Sequence, residues 1–207
     1  MSFRLEEKLL VNKNKLFELI EWIIANEGYK IFPDRVVSST YFDNKYLQSY
    51  IDSEEGIVPR KKIRVRSYSK EAHEQSNSTL EIKTSSVEGR YKISSKNFKL
   101  STIMKNGIFD KSYGICKPSL RVTYNRMYFL IKNVRLTIDT NIRYQDVEKF
   151  SLHSISRADQ NVIVELKTSS LENLDYLMRE FPFQRTRFSK YSNGINICKR
   201  NSSINNI

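Results

Sequence analysis

Cysteines and long apolar runs are both scarce in this sequence, and each scarcity excludes a class of protein. The two cysteines, Cys116 and Cys198, have a spacing that suits neither a metal site nor a redox pair, so we expect free thiols in a reducing compartment. No run approaches the roughly 18 apolar residues needed to span a bilayer, and the charged residues 1–11 have no apolar stretch of the signal-peptide type. We therefore predict a soluble, cytoplasmic protein, with peripheral attachment to a membrane left open.

Acidic residues are few relative to basic ones. The chain carries 35 Lys and Arg against 23 Asp and Glu, a formal net charge of +12. The excess is spread along the chain, so we expect a folded body that binds an anion: nucleic acid, a phosphorylated metabolite, polyphosphate or an acidic membrane surface. Nucleic acid is the weaker alternative, because no RNA or DNA motif is present and Tyr41, Phe42 and Phe129 are expected in the core.

The hydrophobic pattern predicts one α+β domain over residues 1–200, dominated by antiparallel strands, followed by a disordered tail at 201–207. Asn12 is expected to cap the first helix and Gly28 to end it. The predicted strands are 3–11, 36–43, 60–69, 79–87, 90–97, 119–131, 134–144 and 161–168. The predicted helices are 13–27, a short turn within 44–52, 100–106, 171–181 and 190–199.

Three of the predicted strands contain a Glu-x-Lys pair. The pairs are Glu6 with Lys8, Glu81 with Lys83, and Glu165 with Lys167. Residues two apart in a strand point to the same face of a sheet, so each pair places a carboxylate beside an ammonium group. The neighbouring residues of the second and third pairs are apolar, which assigns the opposite face to a core.

Charged residues continue along the same faces of the other strands. The bases are Arg4, Lys8, Arg60, Lys62, Arg64, Arg66, Lys83, Arg126, Arg135, Arg143 and Lys167, and the acids are Glu6, Glu81, Asp139 and Glu165. One interpretation is an ordinary sheet with one solvated face. The other is a barrel with helices outside and charges inside, where like charges roughly 6 Å apart repel by about 3 kcal/mol at an effective dielectric near 20. Such an interior would attract phosphate, which arginine binds in a bidentate manner.

The carboxylates admit two explanations. They could simply pair with the neighbouring lysines, which explains Glu6 and Glu81 as well as any other role. Alternatively, they could hold Mg²⁺ or Mn²⁺ for phosphoryl transfer, since one or two carboxylates suffice when phosphate oxygens complete the coordination. Glu165 is the preferred metal ligand, with Glu6 as the second candidate.

Eight motifs, in this order along residues 4 to about 195, resemble the VTC domain, the catalytic domain of the vacuolar transporter chaperone polyphosphate polymerases, in the triphosphate tunnel (CYTH-like) superfamily. They are Arg4-Leu-Glu6-Glu-Lys8, Ser39-Thr-Tyr41-Phe42-Asp43, Arg60-Lys-Lys-Ile-Arg64-Val-Arg66, Leu80-Glu81-Ile-Lys83, Tyr124-Asn-Arg126, Arg135-Leu-Thr137-Ile-Asp139, Val164-Glu165-Leu-Lys167 and Arg187-Phe-Ser189-Lys190-Tyr191. The sequence departs from the family pattern at Leu9, where an aromatic residue is usual, and at Arg187, where lysine is common.

The resemblance implies a closed tunnel of eight antiparallel strands with helices packed outside, binding triphosphate or polyphosphate together with Mn²⁺ or Mg²⁺. The bases that it implies for catalysis are Lys8, Arg64, Arg66, Lys83, Arg126, Arg135 and Lys190. Tyr124 and Arg187 are implied to contact substrate, with Lys190 and Arg187 closing one tunnel mouth, and Glu165 to hold the metal. Arg143 and Lys167, on the same polar faces, are added as candidate substrate-binding residues.

The leading hypothesis is a metal-dependent polyphosphate polymerase, which transfers the γ-phosphoryl group of ATP to a polyphosphate chain. No general base is evident, since His73 and His153 lie in predicted loops, and a phosphate terminus is already an anionic nucleophile. The alternatives are a tripolyphosphatase or nucleoside triphosphatase, with water as acceptor, and a non-catalytic polyphosphate-binding module.

Overall fold

The computed structural model describes residues 5–69, 78–147, 156–183, 186 and 188–199. Within these residues ten strands and five α-helices occur, which confirms the α+β class. The predictions for the tail at 201–207, and for Arg4, His73, His153 and Arg187, fall outside the described residues.

The strands are β1 (Leu5–Asn12), β2 (Tyr29–Asp43), β3 (Arg60–Ser69), β4 (Thr79–Ser86), β5 (Gly89–Ser95), β6 (Ile108–Asp110), β7 (Gly114–Ile131), β8 (Val134–Asp146), β9 (Arg157–Ala158) and β10 (Asn161–Thr168). The helices are α1 (Leu16–Ala25), α2 (Gln48–Glu55), α3 (Leu100–Asn106), α4 (Leu171–Glu180) and α5 (Lys190–Lys199). A 3₁₀ turn, Lys13–Lys15, precedes α1, and the Asn12 side chain accepts a hydrogen bond from the Asn14 amide at its start.

The chain forms two compact units. The first contains Met1–Val36, Tyr124–Ile142 and Ala158–Phe188; the second contains Val37–Thr123, Arg143–Arg157 and Ser189–Ile207. Strands β2, β7 and β8 contribute residues to both units. The prediction of a single domain over residues 1–200 stays a prediction.

Strand order follows the hydrogen-bonding partners in each unit. In the first unit it is β1-β10-β8-β7-β2, and in the second β7-β2-β3-β4-β5, with the small strands β6 and β9 paired to β7 and β8. The pairings of β1 with β10, β10 with β8, β3 with β4 and β4 with β5 are antiparallel. Among the described strands, β1 pairs with β10 alone and β5 with β4 alone. An α+β fold rich in antiparallel strands is therefore confirmed, whereas the predicted closure into a barrel is not.

The core of the first unit lies between its sheet and two helices. Leu9 of β1, Leu19 of α1, Val164 and Leu166 of β10 and Leu177 of α4 are fully buried in one apolar cluster. Strand alternation leaves the charged residues of β1 and β10 on the other face. Burial of each such leucine contributes roughly 1.5–3 kcal/mol, so this packing fixes the register of the charged face.

The second unit repeats this division. Ile63 and Val65 of β3 pack with Phe42 of β2 and Cys116 of β7 in an apolar cluster, against which Met104 of α3 lies. The alternate residues of β3 are the arginines. The expected burial of Tyr41, Phe42 and Phe129 is confirmed, at 6%, 1% and 5% exposure.

One departure from the predicted elements has a physical cause. Strand β2 begins at Tyr29, seven residues before the predicted start at 36, because its first half is largely exposed and lacks the apolar run on which the prediction relied. Its Phe32 packs edge-on against Tyr128 of β7, with 5.7 Å between the ring centres. Gly28 follows α1 as predicted, and a side chain there would collide with Ile23 and Ile131, at 2.6 and 2.7 Å from its Cβ.

Candidate functional site

Two charged clusters occupy the polar strand faces, one in each unit. The carboxylate cluster, in the first unit, consists of Glu6, Lys8, Arg126, Asp139, Glu165 and Lys167. The basic cluster, in the second unit, consists of Lys62, Arg64, Arg66, Glu81, Lys83, Lys92 and Lys190, together with Tyr41.

The carboxylate cluster starts from the register of β1 and β10. Lys8 lies opposite Glu165 and Glu6 opposite Lys167, so the two Glu-x-Lys pairs form a square of alternating charge. The Lys8 ammonium is 3.3 Å from Glu6, and the Lys167 ammonium is 3.6 Å from Glu6 and 2.9 Å from Glu165. This arrangement supports the lysine-pairing explanation for both glutamates.

Arg126 and Asp139 form the buried side of this cluster. Arg126 donates Nε to Oδ1 of Asp139 at 2.5 Å and a terminal nitrogen to Oδ2 at 2.7 Å, a bidentate geometry that fixes the guanidinium plane. Burial opposes the charged guanidinium, yet Asp139 raises the pKa of Arg126 well above its usual value. Asp139 is 1% exposed, and the Arg126 guanidinium lies 5.2 Å from the Tyr124 ring centre.

Glu165 is the most constrained acid of the cluster. Burial opposes its ionisation, but a hydrogen bond with Glu6, together with Lys167, Lys8 and Arg126, holds the pKa of Glu165 well below its usual value. Two carboxyl groups in contact need a proton or a cation between them. Among the described residues, no three His, Cys, Asp or Glu side chains converge as a metal site. Two carboxylates still fit Mg²⁺ or Mn²⁺, because such ions retain waters and take ligands from substrate phosphates.

The basic cluster has one carboxylate at its centre. Arg64 lies opposite Glu81 in the register of β3 and β4 and reaches Oε2 with Nε at 2.7 Å and a terminal nitrogen at 2.6 Å. Arg66 is 3.8 Å from the same oxygen, and Lys92 of β5 is 3.1 Å from the other. Burial opposes ionisation, but these cations outweigh it and lower the pKa of Glu81 to about 2. Glu81 therefore remains an anion under all ordinary conditions.

A row of lysines crosses three strands beside this centre. Lys62 of β3 lies opposite Lys83 of β4, which lies opposite Lys92 of β5. Like charges directly opposite each other are unfavourable in a sheet. Lys62 donates to the Ser189 hydroxyl at 2.9 Å, a hydrogen bond that does not reduce the positive charge. This row makes the basic cluster the strongest candidate for anion binding.

Tyr41 adds a phenol to the basic cluster. Its oxygen is 3.2 Å from a terminal nitrogen of Arg64, and its ring stacks on Tyr191 of α5 with centres 4.9 Å apart. Tyr191 donates a hydrogen bond to Asp43 at 2.5 Å, and Asp43 also accepts from the amides of Ser49 and Tyr50. The ring of Tyr41 is thus held in one place by a fixed neighbour.

The remaining predicted residues differ in placement. Arg135 lies opposite Lys167 in the β8–β10 register, and Lys190, the first residue of α5, acts electrostatically on Tyr41. Arg143 is exposed on β8, and no contact described for it joins it to either cluster. Arg187 is outside the described residues, but its neighbours Thr186 and Phe188 both hydrogen-bond Lys8.

Sequence reasoning missed Lys92, Ser189 and the hydroxyl of Tyr41. Tyr41 was predicted as a core residue, which its ring is; its position two residues from Ser39 and Asp43 was the available signal of a polar face. Lys92 offered no signal, because its role depends on β5 pairing with β4 in one particular register.

The second unit also contains a cavity of about 910 Å³ lined by residues outside the basic cluster, including Tyr46, Met104, Tyr113, Lys117 and Arg121. No predicted site residue is among those that line it. The search for membrane spans, which covered the described residues, gives no helix with the length and apolar character to cross a bilayer.

Comparisons of structure identify the fold. A Bacillus halodurans protein, provisionally assigned as an adenylate cyclase, has a TM-score of 0.60 at 14% identity, over 91% of this chain and 96% of its own. A Hippeastrum protein with the same provisional assignment and a dominant triphosphatase activity has a TM-score of 0.51 at 11% identity, over 93% and 95%. A chain of the Schizosaccharomyces pombe Mediator head module has a TM-score of 0.55 at 10% identity, over 88% and 96%.

Comparisons of sequence identify the family. The search of curated proteins gives no match. The profile of the VTC domain, in contrast, matches residues 3–199, a range that includes both charged clusters and nearly the whole chain. The protein therefore belongs to the VTC domain family.

Proposed function

We propose that this protein is a metal-dependent polyphosphate polymerase that transfers the γ-phosphoryl group of ATP to the end of a polyphosphate chain. The observation that carries the proposal is the basic cluster, in which a single carboxylate is surrounded by arginines and lysines on three adjacent strands. Membership in the VTC domain family supports the same reaction class.

The basic cluster would bind the triphosphate. Arg64 and Arg66 present guanidinium groups that fit phosphate oxygens in pairs, while Lys83 and Lys92 supply point charges. Fixed cations of this kind stabilise the charge that develops on the transferred phosphoryl group and hold the reacting oxygens in line. Glu81 orients Arg64, and its negative charge offsets the repulsion among the bases that would otherwise destabilise the empty site.

The carboxylate cluster would hold the metal. Glu165 and Glu6 are the proposed ligands, and a bound Mn²⁺ or Mg²⁺ would supply positive charge that neutralises the phosphate. Lys8 and Arg126, next to these carboxylates, would contact the phosphate chain, with Tyr124 beside Arg126. The terminal phosphate of the acceptor is already an anion, so the reaction requires no general base.

The remaining basic residues predicted for the site belong to this proposal. Arg135 would add charge beside the carboxylate cluster and Lys190 would add charge to the basic cluster, while Arg143, Lys167 and Arg187 would contact phosphates. Among these, Lys167 already lies between two glutamates, which predicts a weaker contribution from it.

A triphosphatase is the second candidate, because the fold is shared with a Hippeastrum protein whose dominant activity is of that kind. The same cations and metal would act, with water as acceptor. The fold is also shared with a chain of the Mediator head module, so fold alone does not establish catalysis. A polyphosphate-binding module without turnover is the third candidate.

The deciding experiment incubates the purified protein with ATP and Mn²⁺ and follows both chain growth on gels and release of orthophosphate. Chain growth that is lost in Glu165→Gln, and retained in a Glu55→Gln control on the exposed side of α2, supports the polymerase. Orthophosphate release from tripolyphosphate without chain growth contradicts the polymerase and supports the triphosphatase. If the wild type shows no turnover and Glu165→Gln still binds tripolyphosphate, the protein is a binding module.

A further inference from the structure

Tyr41 is a buried phenol surrounded mainly by cations. Arg64 and Arg66 face it from β3 and Lys190 faces it from α5. The neutral Tyr191 stacks on its other side, and from β4 Glu81, bound to Arg64, is the one acid of the basic cluster. The backbone oxygen of Tyr41 accepts from the Ser119 hydroxyl of β7. Positive charge therefore exceeds negative charge around the phenol oxygen.

This environment changes the chemistry of the hydroxyl. Burial by itself would raise the pKa of Tyr41, but the three neighbouring cations and the Arg64 hydrogen bond outweigh it and lower the pKa to about 8. At this pKa the phenolate is the minor form at neutral pH and the major form above about pH 8. Glu81 cannot exchange a proton in the same range, since its pKa is about 2.

We infer that Tyr41 is a positioning residue that serves as a replaceable counter-ion beside Arg64: in the empty site at alkaline pH its phenolate adds to Glu81 in balancing the guanidinium groups, and it takes up one proton when a bound phosphate takes over that role. This inference rests on the proposed function, because it assumes that the basic cluster binds phosphate. The exchange is a protonation alone, in which the phenolate oxygen and one proton from solvent give the neutral phenol.

The geometry favours exchange of a proton over movement of the side chain. The stack with Tyr191, which is itself tied to Asp43, keeps the ring in place. A phosphate bound to Arg64 would then lie close to the Tyr41 oxygen, and two adjacent anions repel strongly in a partly buried site. Protonation removes that repulsion and turns the oxygen into a hydrogen-bond donor.

The first experiment follows the near-ultraviolet absorbance of tyrosinate in the anion-free protein as the pH rises. One tyrosine is expected to ionise about two pH units below the ordinary tyrosine pKa of about 10. Tyr41→Phe should remove this early step, and Tyr29→Phe, at an exposed position, should leave it unchanged. Arg64→Gln should move the step to higher pH, which tests the assignment without altering Tyr41.

The second experiment adds tripolyphosphate at pH about 8.5 and records tyrosinate absorbance, proton uptake and melting temperature together. The early tyrosinate signal should disappear as the site fills, and above pH 8 the dissociation constant should rise about tenfold per pH unit. Tripolyphosphate itself also exchanges protons when it binds. This contribution is measured with Tyr41→Phe and is subtracted from the proton uptake of the wild type. Circular dichroism of each variant verifies that it is folded.

The outcomes separate the inference from the function. Absence of an early tyrosine overturns the inference, even in a protein that binds tripolyphosphate. An early tyrosine that persists when tripolyphosphate raises the melting temperature overturns the exchange. If tripolyphosphate changes neither signal nor melting temperature, the proposed function fails and the exchange fails with it, while the anion-free titration still reports the ionisation of Tyr41.

Discussion

The carboxylate cluster and the basic cluster are built from the same Glu-x-Lys pattern, yet they have different charge. In the first unit, two such pairs lie on neighbouring antiparallel strands and neutralise each other, Lys8 against Glu165 and Glu6 against Lys167. In the second, Glu81 and Lys83 lie between a strand of bases and Lys92. The difference shows that the partner strand, more than the motif, decides whether a charged face is neutral or has a net positive charge.

Each environment suits a different task. A neutralised cluster with adjacent carboxylates can accept a divalent cation without a large net repulsion, whereas a cluster with excess positive charge is poised for phosphate. The comparison therefore predicts that equivalent substitutions in the two clusters have different consequences.

The largest difference is expected between Glu165→Gln and Glu81→Gln. Loss of the proposed metal ligand should lower turnover with ATP and Mn²⁺ by about 100-fold or more, since even groups that only orient metal ligands contribute about 10- to 100-fold. Glu81→Gln should lose much less turnover, because Glu81 only orients Arg64, and it should bind tripolyphosphate more tightly, because it removes the one negative charge of the basic cluster. Equal loss of turnover in both variants, with folding intact by circular dichroism, would contradict the division of tasks.

The second difference concerns stability and compares Arg126→Gln with Arg64→Gln. Arg126→Gln leaves the Asp139 carboxylate, which is 1% exposed, without its bidentate partner, and a broken buried pair costs about 3–5 kcal/mol of unfolding free energy. Arg64→Gln should cost much less, because Glu81 keeps Lys92 and the repulsion among the bases decreases. Chemical denaturation of both variants measures this, and a smaller loss in Arg126→Gln than in Arg64→Gln would refute it.

The third test uses acid. The folded pKa of Glu81, about 2, is below its unfolded value, so its contribution to stability is fully present above pH 4.5 and is lost as the pH falls from 4.5 towards 2. The shift corresponds to about 3 kcal/mol. Glu81→Gln should lack this part of the acid dependence, while Glu55→Gln should follow the wild type in urea denaturation across that range. If the unfolding free energies of Glu81→Gln and the wild type fall in parallel as the pH drops, the neighbouring cations do not lower the pKa of Glu81.

Most strands could be predicted from the sequence, because their alternation has one physical meaning: Ile63 and Val65 must be buried, and Arg64 then faces the other way. The long first half of β2 could not, because its pairing with β7 is not encoded in an apolar run. The presence of charged clusters was also predictable, because charged and apolar residues alternate along these strands. Their composition was not, since whether Glu81 meets an arginine or a lysine depends on cross-strand register, which no local pattern specifies.

The smallest effect compares Lys83→Ala with Lys167→Ala. Tripolyphosphate at saturating concentration should raise the melting temperature of the wild type, because it binds the folded state only. Lys83 lies between Lys62 and Lys92 in register, so its loss should weaken binding about tenfold, as for one hydrogen bond to a charged group. The rise in melting temperature caused by tripolyphosphate is then smaller by roughly 3–6 °C.

Lys167→Ala should reduce the tripolyphosphate shift by less, since Lys167 is already engaged by Glu6 and Glu165 at 3.6 and 2.9 Å. Thermal unfolding with and without tripolyphosphate, in each variant, gives the two reductions. If Lys167→Ala reduces the shift as much as Lys83→Ala, the carboxylate cluster binds phosphate as directly as the basic cluster. The contrast between a neutralised and a positively charged face would then have no functional meaning.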